Sequence, residues 1–251
     1  MSVYEIYFSP TGGTKKVADI MAEVFEEPVK IDLIKTDISQ TVFQPEDLCL
    51  MAVPSYGGRV PTVVVEQLKA VKGNGAKAAL IAVYGNRHID DTLMELYDVM
   101  TEVGFTCIAG VEAIAEHSLM HQFAAGRPDA EDEPVLKKIA ETIKEKFLQG
   151  TDGQQLQLPG SHEYKEYGGV PMKPAVNRKC ISCGLCAKEC PAGAIPADNP
   201  KATDKDACIS CMHCVAICPK NARHYSKLLS TIAAKKMKKA CADRKENKLY
   251  I

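Results

Sequence analysis

Cys180, Cys183, Cys186 and Cys190 are repeated 28 residues later, cysteine on cysteine, by Cys208, Cys211, Cys214 and Cys218. Each set has the spacing C-x2-C-x2-C-x3-C and each is followed by a proline, Pro191 or Pro219. Eight of the chain's 11 cysteines lie in this repeat, so its soft-ligand chemistry is concentrated there. Three thiolates at such short intervals wrap a tight turn around three corners of an iron–sulfur cube. The fourth stands before a proline that turns the chain away, and it serves a second cube. The spacing predicts two [4Fe–4S] clusters, one on Cys180, Cys183, Cys186 and Cys218, the other on Cys208, Cys211, Cys214 and Cys190. Zinc favours separated cysteine pairs over three cysteines in one short run. A disulfide framework needs a secreted chain, and Met1 to Ile6 enters a strand-like pattern with no basic leader.

A second stretch able to do chemistry is Ser9-Pro10-Thr11-Gly12-Gly13-Thr14, dense in hydroxyls and glycine. The apolar run Val3 to Phe8 precedes it. Val17, Ile20, Met21 and Val24 follow at helical spacing. A polar loop between a strand and a helix start offers free backbone N–H groups and the positive end of the helix dipole, which suit a phosphate. An ordinary turn with an N-cap is the competing reading. The loop is neither a Walker loop nor a Gly-x-Gly-x-x-Gly fingerprint. Lys15 and Lys16 either add charge to the site or are solvated side chains of the first turn.

The elements that would position these groups alternate. Strand patterns at 29–34, 47–53, 78–84 and 105–115 are interleaved with helical faces at 61–71, 93–100 and 136–147. Five strands and their helices predict an α/β fold, a parallel sheet covered on both faces, with ligands at the carboxyl ends of the strands. The loops there are Pro54-Ser55-Tyr56-Gly57-Gly58-Arg59 and Tyr84-Gly85-Asn86-Arg87-His88. Each offers an aromatic ring and glycine N–H groups to a flat cofactor. Arg59 and Arg87 would hold negative charge on the cofactor or simply cover the loops. Cys49 and Cys107 lie in apolar strands and read as buried and inert.

On these motifs residues 1–150 resemble a flavodoxin, and Cys180 to Pro219 resembles a bacterial two-cluster ferredoxin. The whole is similar to flavodoxin–ferredoxin fusion proteins of anaerobes. The resemblance implies FMN, its phosphate on Ser9, Thr11, Gly12, Gly13 and Thr14. It also implies the isoalloxazine between Pro54, Ser55, Tyr56, Gly57 and Gly58 on one side and Tyr84, Gly85, Asn86 and Arg87 near the other, with Tyr56 as the stacking ring. The expected fold class is a flavodoxin-like five-stranded parallel sheet plus a small α+β ferredoxin domain. The expected division is 1–150, a glycine- and proline-rich linker 151–173 pinned by Tyr164 and Tyr167, the cluster domain 174–225, and a tail 226–251. The tail is read as an amphipathic helix docked through Leu228, Leu229, Ile232, Ala233 and Met237, or less simply as a basic surface for an acidic partner. Cys241 is no ligand. In the long segment 116–134, His117 and His121 read as surface or capping residues, with proton delivery to a flavin as the alternative.

Composition narrows the function. The net charge is −1, but residues 1–150 carry 14 Lys and Arg against 23 Asp and Glu, whereas the remainder carries 17 against 9. Cluster thiolates offset the basic half, and no aromatic-studded basic patch speaks for nucleic acid. No apolar run is long enough to span a membrane. The expected protein is a cytoplasmic electron carrier that exchanges electrons between two clusters, FMN and redox partner proteins. The alternatives are a flavin-dependent reductase of a small substrate such as a quinone, or an iron–sulfur sensor. A homodimer would be required if one chain held its cofactors far apart.

Overall fold

In the computed structural model, which describes residues 1–150 and 156–251, the apolar strands stack side by side. The first five are β1 (Val3–Tyr7), β2 (Val29–Asp32), β3 (Leu48–Pro54), β4 (Lys77–Tyr84) and β5 (Thr106–Ile114). Between and after them run α1 (Gly13–Ala22), α2 (Thr62–Lys69), α3 (Thr92–Glu102) and α4 (Asp132–Gln149). The parallel order is β2-β1-β3-β4-β5, which places the change of winding direction between β1 and β3.

Two separate cores explain why β3 and β4 are apolar throughout. Successive side chains leave opposite faces of a strand. Cys49, Met51 and Val53 join Leu80, Ala82 and Tyr84 on the face covered by α2 and α3. Leu48, Leu50 and Ala52 join Ala79, Ile81 and Val83 on the face covered by α1 and α4. Leu80 and Ile81 are fully buried, so truncating either to Ala costs about 2–5 kcal/mol. Cys49 is buried, as its strand position implies; Cys107 is only partly so.

The cluster segment adds β6 (Ala175–Val176) and β7 (Arg223–His224), an antiparallel pair, and the single-turn helices α5 (Leu185–Lys188) and α6 (His213–Ala216). The tail departs from expectation in two ways. Helix α7 (Lys227–Met237) forms, but it docks through Ala233, Ala234 and Met237, leaving Leu228, Leu229 and Ile232 at 70%, 47% and 45% exposure. The chain then returns to the sheet as β8 (Lys248–Tyr250), a sixth strand antiparallel to β5. Cys241, which has charged residues close by in the sequence, is buried. Among the described residues no helix is long and apolar enough to cross a membrane.

Residues 151–155 of the expected linker lie outside the described residues. The rest lies against the sheet domain. The Tyr164 hydroxyl bonds Asp98, its ring lies 4.6 Å under the Arg59 guanidinium, and Leu158 packs near Gly110. Arg59 also forks onto buried Glu95 at 2.8 and 2.7 Å, so its charge braces this junction.

A buried ion pair clamps the tail. Arg127 and Asp132 are 3% and 2% exposed at the side chain. Arg127 donates to the Lys245 carbonyl at 2.8 Å, and Asn247 donates to Asp132 at 2.9 Å. Burial alone would raise the Asp132 carboxyl, but the Arg127 bonds outweigh it and hold it below its ordinary value. A depressed carboxylate stabilises the fold above its unfolded value near pH ~4 and loses that contribution as pH falls below it. Asp132→Ala strands a buried guanidinium and is expected to lower unfolding stability by about 3–5 kcal/mol in urea denaturation at pH 7. The deficit against wild type should shrink below about pH 4; a pH-independent deficit would refute the ion-pair account.

Candidate functional site

The hydroxyl-rich loop sits at the carboxyl end of β1, beside the change of winding. Gly12, at φ +93, makes the turn into α1, where no side chain caps the helix. Ser9 Oγ accepts from Lys15 N at 2.8 Å, which closes the loop on itself. Lys15 pairs with Asp19 and Lys16 reaches the Pro128 carbonyl at 2.6 Å, so both amines are committed elsewhere. With the Lys15 amide taken by Ser9, the Gly13 and Thr14 amides are the first-turn donors left for an anion.

A cavity of about 250 Å³ opens from this loop. Ser9, Thr11, Gly13 and Thr14 form one end, and Pro54, Ser55, Tyr56, Gly57 and Gly58 one wall. Tyr84, Gly85, Arg87 and His88 line it as well. Gly58, at φ +91, could not carry a side chain, because a Cβ would stand 2.5 Å or less from Asp90 side-chain atoms. Arg87 borders the cavity with its guanidinium paired to Asp90. Gly12 serves as the turn behind the lining. Asn86 requires a correction: its buried amide donates to the Cys241 and Asp243 carbonyls at 3.0 and 2.8 Å, so it latches the tail and does not face the cavity.

His117 lines the cavity, packed against Gly85, where a Cβ would come within 2.6 Å of it. Burial, then the neighbouring His121, pushes its imidazole down to about 4. Nδ1 accepts from the Leu119 and Met120 amides at 3.2 and 3.4 Å, which assigns the proton of the neutral ring to Nε2. His121 is exposed and pairs with Glu116 at 2.7 Å.

The cysteines form two further cavities. Cys180, Cys183, Cys186 and Cys218 surround one, with Pro200 and Lys220. Cys190, Cys208, Cys211 and Cys214 surround the other, with Ile195 and His213. Each set draws its fourth cysteine from the opposite repeat. The wrapping turns are the same twice: Ser182 and Gly184 have φ +54 and +76, Ser210 and Met212 +56 and +63. Burial pushes the free thiols of Cys211 and Cys214 up to about 12 and about 11. Iron must therefore displace their protons for them to bind as thiolates. Burial also opposes Cys218, but the Arg223, Ala222 and Lys220 amides hold its thiol below the usual value. Among the described residues no three His, Cys, Asp or Glu side chains close on a single point, as one zinc ion would require. The four-thiol cavities fit a multi-iron group.

The second cysteine cavity abuts the first-described one. Ile209 lines both. His213 borders the cysteine cavity, and its Nδ1 lies 2.9 Å from the Pro10 carbonyl of the hydroxyl-rich loop. Burial, then the Cys211 thiol and Tyr167, pushes the Tyr56 hydroxyl well above its ordinary range. Among the described residues the buried Tyr167 hydroxyl and His213 Nε2 have no hydrogen-bond partner. Val170, Met172, Ala233 and Met237 complete the cavity wall. They belong to an apolar cluster with Leu119, Met120 and Phe123 that joins the 117–123 segment, the linker, the cysteine module and α7. Sequence reading expected Ala233 and Met237 to dock but missed Val170 and Met172, which lie in a segment without period.

Residues 178–223 match the family model described as a 4Fe-4S dicluster domain. Nothing among curated proteins matches the chain. Several solved structures resemble its α/β part. A flavodoxin from the domain Archaea is 17% identical over 59% of this chain and 99% of its own, at a TM-score of 0.43. The flavodoxin of Streptococcus pneumoniae TIGR4 is 20% identical over 58% and 99%, at 0.42. The rubredoxin oxygen:oxidoreductase of the anaerobe Desulfovibrio gigas is 19% identical over 59% of this chain and 36% of its own, at 0.45. The fold assignment itself stands on the strand order β2-β1-β3-β4-β5. One chain thus joins a flavodoxin-like α/β fold to a 4Fe-4S dicluster domain, an arrangement built for electron transfer.

Proposed function

We propose that the chain is an internally wired electron carrier. Residues 1–150 hold FMN, residues 174–225 hold two [4Fe–4S] clusters, and electrons pass between these centres and external redox proteins in a reducing, cytoplasmic setting. The observation that carries this reading is the shared wall: Ile209, next to Cys208, borders both the cavity at the strand ends and the second cysteine cavity. Transfer then runs within one chain and needs no dimer.

The groups supply the redox chemistry, the flavin by one or two electrons and each cluster by one. The chain's own residues bind, orient and shield. Ser9, Thr11, Gly12, Gly13 and Thr14 take the phosphate at the start of α1. Tyr56 offers its half-buried ring to the isoalloxazine, and Pro54, Ser55, Gly57, Gly58, Tyr84, Gly85 and Arg87 frame it. Cys208, Cys211, Cys214 and Cys190 hold the flavin-proximal cluster, and Cys180, Cys183, Cys186 and Cys218 the distal one. Val170, Met172 and Met237 add an apolar wall from the linker and α7 to the site.

Anaerobically purified protein should contain about eight iron atoms and one FMN per chain. Pairs of substitutions test the exchanged fourth ligands. Cys190→Ser with Cys211→Ser strikes one cluster and should remove about four irons; Cys190→Ser with Cys183→Ser strikes both and should remove about eight. The opposite pattern would overturn the ligand sets.

A third expectation concerns protons. With its imidazole near 4, His117 is neutral at pH 7 and cannot be the proton source for a flavin there. The flavin midpoint potential should show no inflection between pH 5 and 8 that depends on His117. An inflection near pH ~6.5 that disappears in His117→Phe would contradict this.

A further inference from the structure

We propose that the rim of the distal cysteine cavity is a docking surface for an acidic one-electron carrier protein; this rests on the wired-carrier reading above. Cys180, Cys183, Cys186 and Cys218 share no lining residue with the cavity at the strand ends. Cys183 is exposed and Ile181 is 59% exposed, whereas Cys211 and Cys214 of the other set are 8% and 9% exposed. The distal set is therefore the solvent end of the path.

The two cysteine loops of its rim are basic; the third lining segment, around Pro200, carries Asp198 and Lys201. The β6–β7 pairing continues through Asn177, whose N–H reaches the Ala222 carbonyl at 2.9 Å and whose amide reaches that of Asn221 at 3.4 Å. This sets Arg178 and Lys179 beside Lys220, and all three are exposed. Neither 177–188 nor 217–224 contains an Asp or Glu. Compensation of the cluster's own negative charge already has a dedicated cation, Arg223. It is 3% exposed, lines the same cavity and is fixed by bonds to Thr203, Pro200 and Ala202. Three further solvated cations around an exposed isoleucine form an apolar centre with a charged rim, the build of small transient interfaces. The sign of the rim selects an acidic partner and speeds its approach. In the step itself the reduced carrier loses one electron and the distal cluster gains it, with no bond or proton exchanged.

The test uses the full cluster-loaded chain and, as probe, a photoreduced acidic plant-type [2Fe–2S] ferredoxin in stopped flow. Arg178→Glu with Lys179→Glu and Lys220→Glu should slow cluster reduction by about tenfold or more at low ionic strength and flatten its salt dependence. Ile181→Ser should slow it with the salt dependence retained. Iron content should hold, any shift of the cluster potentials in EPR titration should be too small to account for a tenfold loss, and reduction by methyl viologen, a small cation that needs no docking surface, should not slow. An unchanged rate in the triple variant would overturn the proposal, as would an equal loss with methyl viologen. Failure of the wired-carrier reading shows separately, as clusters reduced by viologen that leave the flavin oxidised.

Discussion

The contact between His213 and the Pro10 carbonyl is the constraint on which the arrangement depends. It ties the second cysteine loop to the loop that opens α1, so two ligand-binding turns from distant parts of the sequence share one boundary. A backbone carbonyl in a Ser/Thr/Gly loop is a demanding partner, because a buried acceptor left unpaired costs about 1–3 kcal/mol. The imidazole satisfies it while bordering the second cysteine cavity. Met212, next to His213, belongs to an apolar cluster with Leu119, Met120, Met172 and Met237. Methionine suits the task, since its flexible thioether fills the irregular gap between elements of unlike shape.

The junction explains features that neither half would need alone. Segment 117–123 folds inward, with His117 half-buried, because the cysteine module and α7 cover it; Tyr225 and Ser230 both donate to the Leu119 carbonyl. Helix α7 turns its small residues towards the protein and leaves its leucines outside. The space beneath it is already occupied by that methionine-rich cluster, and Ala233 and Ala234 permit the closer approach.

What could be read from the sequence was local. The cysteine sets were legible because their spacing is a property of consecutive residues, and the exchanged fourth ligand follows from the proline that turns the chain aside. The five parallel strands were legible because strands buried on both faces are apolar at every position, as in Ala78 to Tyr84. Strand β8 was not: Lys248-Leu249-Tyr250 is too short to show a period, and its place is fixed by pairing with Gly110, Val111 and Glu112. Asn86 misled for a related reason. It sits in a loop at the right end of the sheet, but its amide answers carbonyls more than 150 residues away. In α7 the apolar spacing was correct for a helix, yet the docked face was chosen by the shape of the surface beneath.

The return of the chain at β8 changes how the two parts should be regarded. The polypeptide leaves the sheet through α4 and re-enters it beside β5, so the cysteine module is topologically an insertion within the α/β fold. A module tethered at one end samples a volume set by its linker, and its meetings with a partner are governed by an effective concentration. Held at both ends and bonded along the seam, this one has almost no such volume to search. For the carrier proposed above, electron exchange across Ile209 would be a unimolecular event at a fixed separation, insensitive to solvent viscosity and to the length of the connecting segment.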